Sequence, residues 1–105
     1  MSYIAMNRFR IALGREAEFE DIWRNRESRL KELPGFVEFR MLKGPVGDDH
    51  ALYSSFTLWQ SKADFESWTT SEQFRDSHKN TGNRDRSIFA GPPQFEGFET
   101  ILIEN

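Results

Sequence analysis

Hydrophobic periodicity alternates between strand-like and helix-like along this chain, and the order of those segments limits the fold more than any single motif. From Tyr3 to Ile11 the pattern repeats every second residue. Tyr3, Ala5, Asn7, Phe9 and Ile11 share one face, and Arg8 and Arg10 share the other. After Gly14 the spacing becomes helical. Phe19, Ile22, Trp23, Arg26, Leu30 and Leu33 form one stripe, which predicts a helix over Arg15–Leu33 closed by Pro34-Gly35. Strands are predicted over Phe36–Lys43 and Ala51–Trp59, joined by the turn-rich segment Gly44–His50. Ser61 and Asp64 resemble a capping box ahead of a short helix ending at Trp68, and Thr70 and Gln73 repeat the pattern before a helix to about Lys79. Asn80–Gly91 is polar and glycine-bearing and reads as a mobile loop; Gln94–Ile103 reads as a last strand.

The order β-α-β-β-α-β predicts a ferredoxin-like α+β fold, an antiparallel four-stranded sheet with both helices on one face. One such domain accounts for residues 1–105. The chain is only 37% hydrophobic, but ten Phe and three Trp concentrate the apolar surface in large side chains. The face without helices is expected to carry Val37, Phe39 and Met41 on one strand and Leu52, Phe56 and Leu58 on the next. Such a face needs a cover, and the simplest is a second copy in a two-fold homodimer.

Composition also removes classes of function. A net charge of -3 argues against a nucleic-acid partner. No apolar run is long enough for a membrane span. The N-terminal residues lack a basic-then-apolar leader pattern, so a cytoplasmic location is expected. With zero cysteine the chain has no disulfides, zinc thiolates, iron–sulfur clusters or thiolate-ligated haem.

Three residues then stand out. Asn7 falls in the middle of a predicted strand, where Asn is disfavoured. Trp68 ends a short helix, and His78, one of two histidines, follows ten residues later on the next. A strand amide, a helical imidazole and a large aromatic together suit a pocket for a flat, apolar, metal-bearing ligand such as haem. On these residues the chain resembles the IsdG-type haem-degrading monooxygenases, dimeric α+β barrels of the antibiotic biosynthesis monooxygenase superfamily. The likeness runs from Ile4-Ala5-Met6-Asn7-Arg8-Phe9, through Phe65-Glu66-Ser67-Trp68 and Phe74-Arg75-Asp76-Ser77-His78, to Gly91-Pro92-Pro93-Gln94-Phe95-Glu96-Gly97-Phe98.

The resemblance implies that His78 is the axial iron ligand and that Asn7 donates its amide NH2 to iron-bound oxygen while its own oxygen is held elsewhere. It implies that Trp68 presses on a ruffled macrocycle. Haem is then both substrate and cofactor. Dioxygen and an external electron donor or reductase complete the reaction, and a meso carbon is hydroxylated before the ring opens to a bilin-type product and iron is released.

The residue pattern adds Arg26, whose stem lies along the inner stripe and whose charge needs an anion, for which a haem propionate serves. Trp23, Phe65 and Phe74 are expected to wall the cleft, while Phe9, Phe36, Phe56 and Phe95 pack. Each residue also has a plainer use: His78 on a helix surface, Asn7 bonded to the ladder, Trp68 in the core, Arg26 paired with an internal carboxylate or reaching solvent. Two other functions suit the same pattern. One is a cofactor-independent monooxygenase acting on a quinol or polyketide, which has no need of His78. The other is a non-catalytic haem carrier or sensor, which has less need of Asn7 and Trp68.

Overall fold

The computed structural model describes residues 1–26, 28–72, 74 and 86–105. Alternation places β1 at Tyr3–Ile11 and β3 at Ala51–Trp59, both as predicted, and the two pair antiparallel with Asn7 opposite Ser55. β2 (Phe36–Val46) flanks β3, and β4 (Gln94–Glu99) flanks β1, giving the order β2-β3-β1-β4. Helix α1 (Glu16–Asn25) follows β1, and α2 (Lys62–Thr69) follows β3. This is the ferredoxin-like α+β fold, with both helices over one face of an antiparallel sheet.

That face buries two separate clusters. Phe9, Ile11, Ala51, Tyr53 and Ile88 pack around Phe19 of α1. Tyr3, Ala5, Leu30 and Trp59 pack with Phe65 and Trp68 of α2. Two clusters explain why the predicted helix Arg15–Leu33 is broken. A straight helix cannot deliver both Phe19 and Leu30 to different ends of a sheet. α1 stops at Asn25, Arg26 takes an extended conformation, and a 3-10 turn at Leu30–Glu32 carries Leu30 into the second cluster. Asn25 and Ser28 are weak helix formers at the break, and the Ser28 hydroxyl accepts from the Leu30 N–H at 3.4 Å.

β2 departs from its predicted phase. A bulge between Phe36 and Glu38 puts two residues opposite one on β3. Phe39 and Met41 therefore turn toward the helices, opposite Thr57 and Ser55, instead of onto the open face. Glu38, Arg40 and Leu42 take the open side, with Leu52, Phe56 and Leu58 of β3 and Ile4 and Met6 of β1. β2 also runs on to Val46, so the turn shrinks to Gly47–His50, closed by Gly47 N–H to His50 O at 2.8 Å.

β4 ends at Glu99, short of the predicted Ile103, at the register position opposite Tyr3, the first residue of β1. Thr100 N–H reaches Ser2 O at 2.9 Å, and Ile101, Leu102 and Ile103 beyond it are exposed. The end of the predicted mobile loop is anchored. Ile88 is buried, Phe89 bridges to Ile11, and Ala12 and Ala90 exchange backbone bonds with Ile88 and Arg10 at 2.8 Å.

Helix α2 starts as its sequence predicts. Ser61 Oγ accepts from the Asp64 N–H at 3.1 Å and donates to the Asp64 carboxylate at 3.0 Å. After α2 the Ser71 hydroxyl accepts from Phe74 N–H at 3.1 Å, while the expected box of Thr70 with Gln73 involves a residue outside the described ones. The predicted continuation to Lys79, with Gln73, lies outside the described residues. No helix among the described residues is long and apolar enough to cross a membrane.

One polar knot ties α1 to the sheet. Tyr53 donates to Glu20 at 2.6 Å, while Lys43 and Arg24 approach the same carboxylate at 3.2 and 3.1 Å. The bonds from Tyr53 and Lys43 hold the Glu20 carboxyl below its ordinary range. Burial and the Glu20 bond push the Tyr53 phenol far up. A carboxyl with a lowered folded-state pKa stabilises the fold above its unfolded value and loses that contribution as pH falls through the folded one. Tyr53→Phe is therefore expected to be less stable than the parent at neutral pH, with the gap narrowing in acid. Denaturant unfolding of both proteins at neutral pH and at about pH 3, below the ordinary carboxylate range, checks this; a gap that widens in acid would contradict it.

Candidate active site

Between the two clusters the helix-bearing face of the sheet changes character. Strand register aligns Met41, Ser55, Asn7 and Phe95 in one row across all four strands. Ser55 is buried, and Thr57 beside it on β3 is buried as well. Asn7 Oδ1 is buried and has no hydrogen-bond partner among the described residues. A polar pair, Asn7 and Ser55, in the middle of a row between aromatic clusters breaks the usual pattern of a sheet interior, and such breaks concentrate at functional sites.

The α2 side of the row is aromatic. Phe65 stacks on Phe95 with ring centroids 5.6 Å apart and planes 12° from parallel. Trp68 lies 6.1 Å from Phe65, 5.8 Å from Trp59 and edge-on to Phe74 at 4.8 Å. Tyr3 supports Phe65 from below at 5.2 Å. Its phenol crosses β4 at Gly97, where any side chain would overlap the Tyr3 hydroxyl.

The α1 side is aromatic too, with a cation at its edge. Trp23 packs on Phe9 at 5.8 Å and stacks on Phe39 at 5.9 Å and 16°. The Arg26 guanidinium carbon lies 4.6 Å from the Trp23 ring centroid and 4.7 Å from that of Phe39, a double cation–π contact. Its inward course thus agrees with the stripe, although it leaves the helix to get there. Arg26 also borders a cavity of about 350 Å³ along the start of β2, which Lys31, Phe36 and Phe39 help to line.

The structure therefore brings Phe65, Trp68 and Phe74 together in one aromatic group and Trp23 with Arg26 in another, with Asn7 in the row between the two core clusters. His78 lies outside the described residues. Among those residues no group of three or more His, Cys, Asp or Glu is placed to hold a metal ion. Two residues of the row escaped the sequence reading. Phe95, expected only to pack, is 54% exposed beside Asn7. Ser55 was one of several strand hydroxyls until the register put it opposite Asn7. Aromatic walls, one amide and a cation at the rim suit a flat apolar molecule with an acidic edge.

Residues 2–80 match the family model described as antibiotic biosynthesis monooxygenase, and the chain belongs to that family. It is 31% identical over 64 residues to a haem-degrading monooxygenase of Bacillus cereus (strain B4264), covering 61% of this chain and 60% of that protein's length. It is 38% identical over 75 residues to a haem-degrading monooxygenase of Shouchella clausii, covering 71% of this chain and 70% of the relative. In three dimensions it superimposes on the haem-degrader MhuD from Mycobacterium tuberculosis, solved with two haems in its active site. The TM-score is 0.73 and the identity 22%, over 98% of this chain and 99% of that one. The structural likeness speaks to the fold.

Proposed function

We propose that this chain binds haem between α1 and α2 and oxidatively opens the porphyrin ring, with haem as substrate and cofactor at once. The observation that carries the reading is Asn7: an amide in mid-strand, oxygen buried, opposite Ser55 and bordered by aromatic clusters. The relatives' names point to the same substrate. The residues present fit the group. Trp68, Phe65 and Phe74 form an aromatic wall for a macrocycle, Trp23 lies on the opposite side, and Arg26 at the rim suits a propionate bidentately.

Each residue then has one task. His78 holds the iron through a neutral imidazole. Asn7 Nδ2 would offer a hydrogen bond to the oxygen that bound haem would activate, a donor suited to developing negative charge. Trp68 bears on the ring and sets its shape. Bound haem supplies the iron for dioxygen activation, with electrons from an external donor, and its own ring is the carbon oxidised. A cytoplasmic homodimer, closed over Ile4, Met6, Leu52, Phe56 and Leu58, belongs to the same reading.

The test is an absorbance series. Stoichiometric hemin is added to the purified protein, then ascorbate, in air with catalase present. The expected result is a sharp Soret band that decays as bilin absorbance grows. A Soret band that never decays under any electron donor would leave a carrier. No specific band at all would sink the haem reading in favour of a quinol or polyketide monooxygenase. In the same series His78→Ala is expected to lose the axial-ligand spectrum, and an unaltered spectrum would remove His78 as the ligand.

A further inference from the structure

A donor amide works only when its other end is fixed. If Asn7 Nδ2 serves the ligand, Oδ1 needs a partner, or the amide swings and flips. Oδ1 is buried and has no partner among the described residues. The sheet around it offers few. Along β1 the neighbours on the same face are Ala5 and Phe9, which have no donors. On β4 the opposite residue is Phe95 and a diagonal one is Gly97. On β3 the diagonal neighbours are Tyr53, whose hydroxyl is committed to Glu20 at 2.6 Å, and Thr57. Directly opposite Asn7 stands Ser55, on the same face and buried.

Residues directly opposite in an antiparallel pair have Cβ atoms only about 4.5–5.5 Å apart, and diagonal neighbours lie farther off. A serine hydroxyl moves between staggered positions at little cost, and its proton turns to suit. We propose that Ser55 is the positioning residue for Asn7. A turn of its side chain brings Oγ–H to Asn7 Oδ1, which fixes the amide plane and aims Nδ2 into the space between the aromatic walls. The bond is not closed in the conformation described; the side-chain turn closes it. The proposal rests on the haem reading for its consequence but not for the contact itself.

Two measurements test it on the full chain, using Ser55→Ala, Ser55→Thr and Asn7→Ala. The first needs no haem: side-chain amide NMR of Asn7 in the apo-protein. The Asn7 signals are expected to move in Ser55→Ala and return in Ser55→Thr. The second is the C–O stretch of the ferrous carbonyl complex formed with hemin. A donor from Asn7 lowers that stretch. Asn7→Ala should raise it, Ser55→Ala should raise it part of the way with a broader band, and Ser55→Thr should restore it. Turnover in Ser55→Ala should fall about tenfold, the scale on which outer partners tune a ligand-holding group, with haem affinity unchanged and the fold retained.

A stretch that moves in Asn7→Ala but not in Ser55→Ala would overturn the proposal and leave the haem reading intact. A shift that Ser55→Thr fails to restore would assign the effect to packing and overturn it equally. If hemin gives no specific complex, the haem reading fails, and the apo-protein signals alone uphold or overturn the contact.

Discussion

Asn7→Ala is expected to bind haem about as well as the parent and to open the ring roughly 10²–10³-fold more slowly, the usual loss when one preorganised donor to developing charge is removed. The separation of binding from turnover follows from geometry. On the proposed reading most of the contact area for a macrocycle would come from Trp68, Phe65, Phe74 and Trp23, which pack on one another or on Phe39 and are all retained in the variant. Asn7 adds little area and one directed hydrogen bond. Stability should move the other way. Strand positions disfavour Asn on a scale spanning about 1 kcal/mol, so Asn7→Val is expected to melt no lower than the parent and to be as inactive as Asn7→Ala. Single-turnover decay of the Soret band and thermal unfolding of the same samples check both halves. A variant that keeps its turnover would remove Asn7 from the reaction. A large loss of stability would make Asn7 a structural residue.

Asn7 was legible in the sequence because it violates a local rule. β1 alternates cleanly, and one amide stands on its buried face. Phe65 and Trp68 were legible for the opposite reason: they obey helical spacing next to a capping pair at Ser61 and Asp64, which the structure reproduces. What stayed hidden depends on pairing between distant segments. Phe95 and Ser55 matter because the register sets them on either side of Asn7, and alternation within a strand says nothing about its partner. The bulge at the start of β2 was hidden too. One extra residue reverses the phase of everything after it, so Phe39 and Met41 changed face without any change in their own pattern. The break after α1 was masked by chance. Leu30 and Leu33 fall in phase with Phe19, Ile22 and Trp23, yet they belong to the other cluster. Only the presence of two clusters, a property of the whole sheet, requires the chain to leave the helix at Arg26.

Trp59→Ala is expected to cost about 3–5 kcal/mol of folding stability, the range for deleting a fully buried large aromatic. Trp59 is 0% exposed at the end of β3, with Phe36, Phe65 and Trp68 around it at 5.8, 6.4 and 5.8 Å. A domain of this size has roughly 5–15 kcal/mol in total, so the midpoint of thermal unfolding should fall on the order of 15–25 °C. Trp59→Phe separates two terms in that loss. Its indole Nε1 is buried without a hydrogen-bond partner among the described residues, so the phenylalanine forfeits contact area but also removes an unpaired donor worth about 1–3 kcal/mol. The milder variant should therefore stay within about 2 kcal/mol of the parent. The two changes should differ at the site as well. Trp68 rests on Trp59, so the alanine variant is expected to bind hemin more weakly even where it remains folded, while the phenylalanine variant keeps the wall and the affinity. Urea unfolding and hemin titration on both proteins give the answer. Equal losses in the two variants would mean that Nε1 has a partner after all, and an alanine variant with undiminished hemin affinity would show that Trp68 holds its place without Trp59.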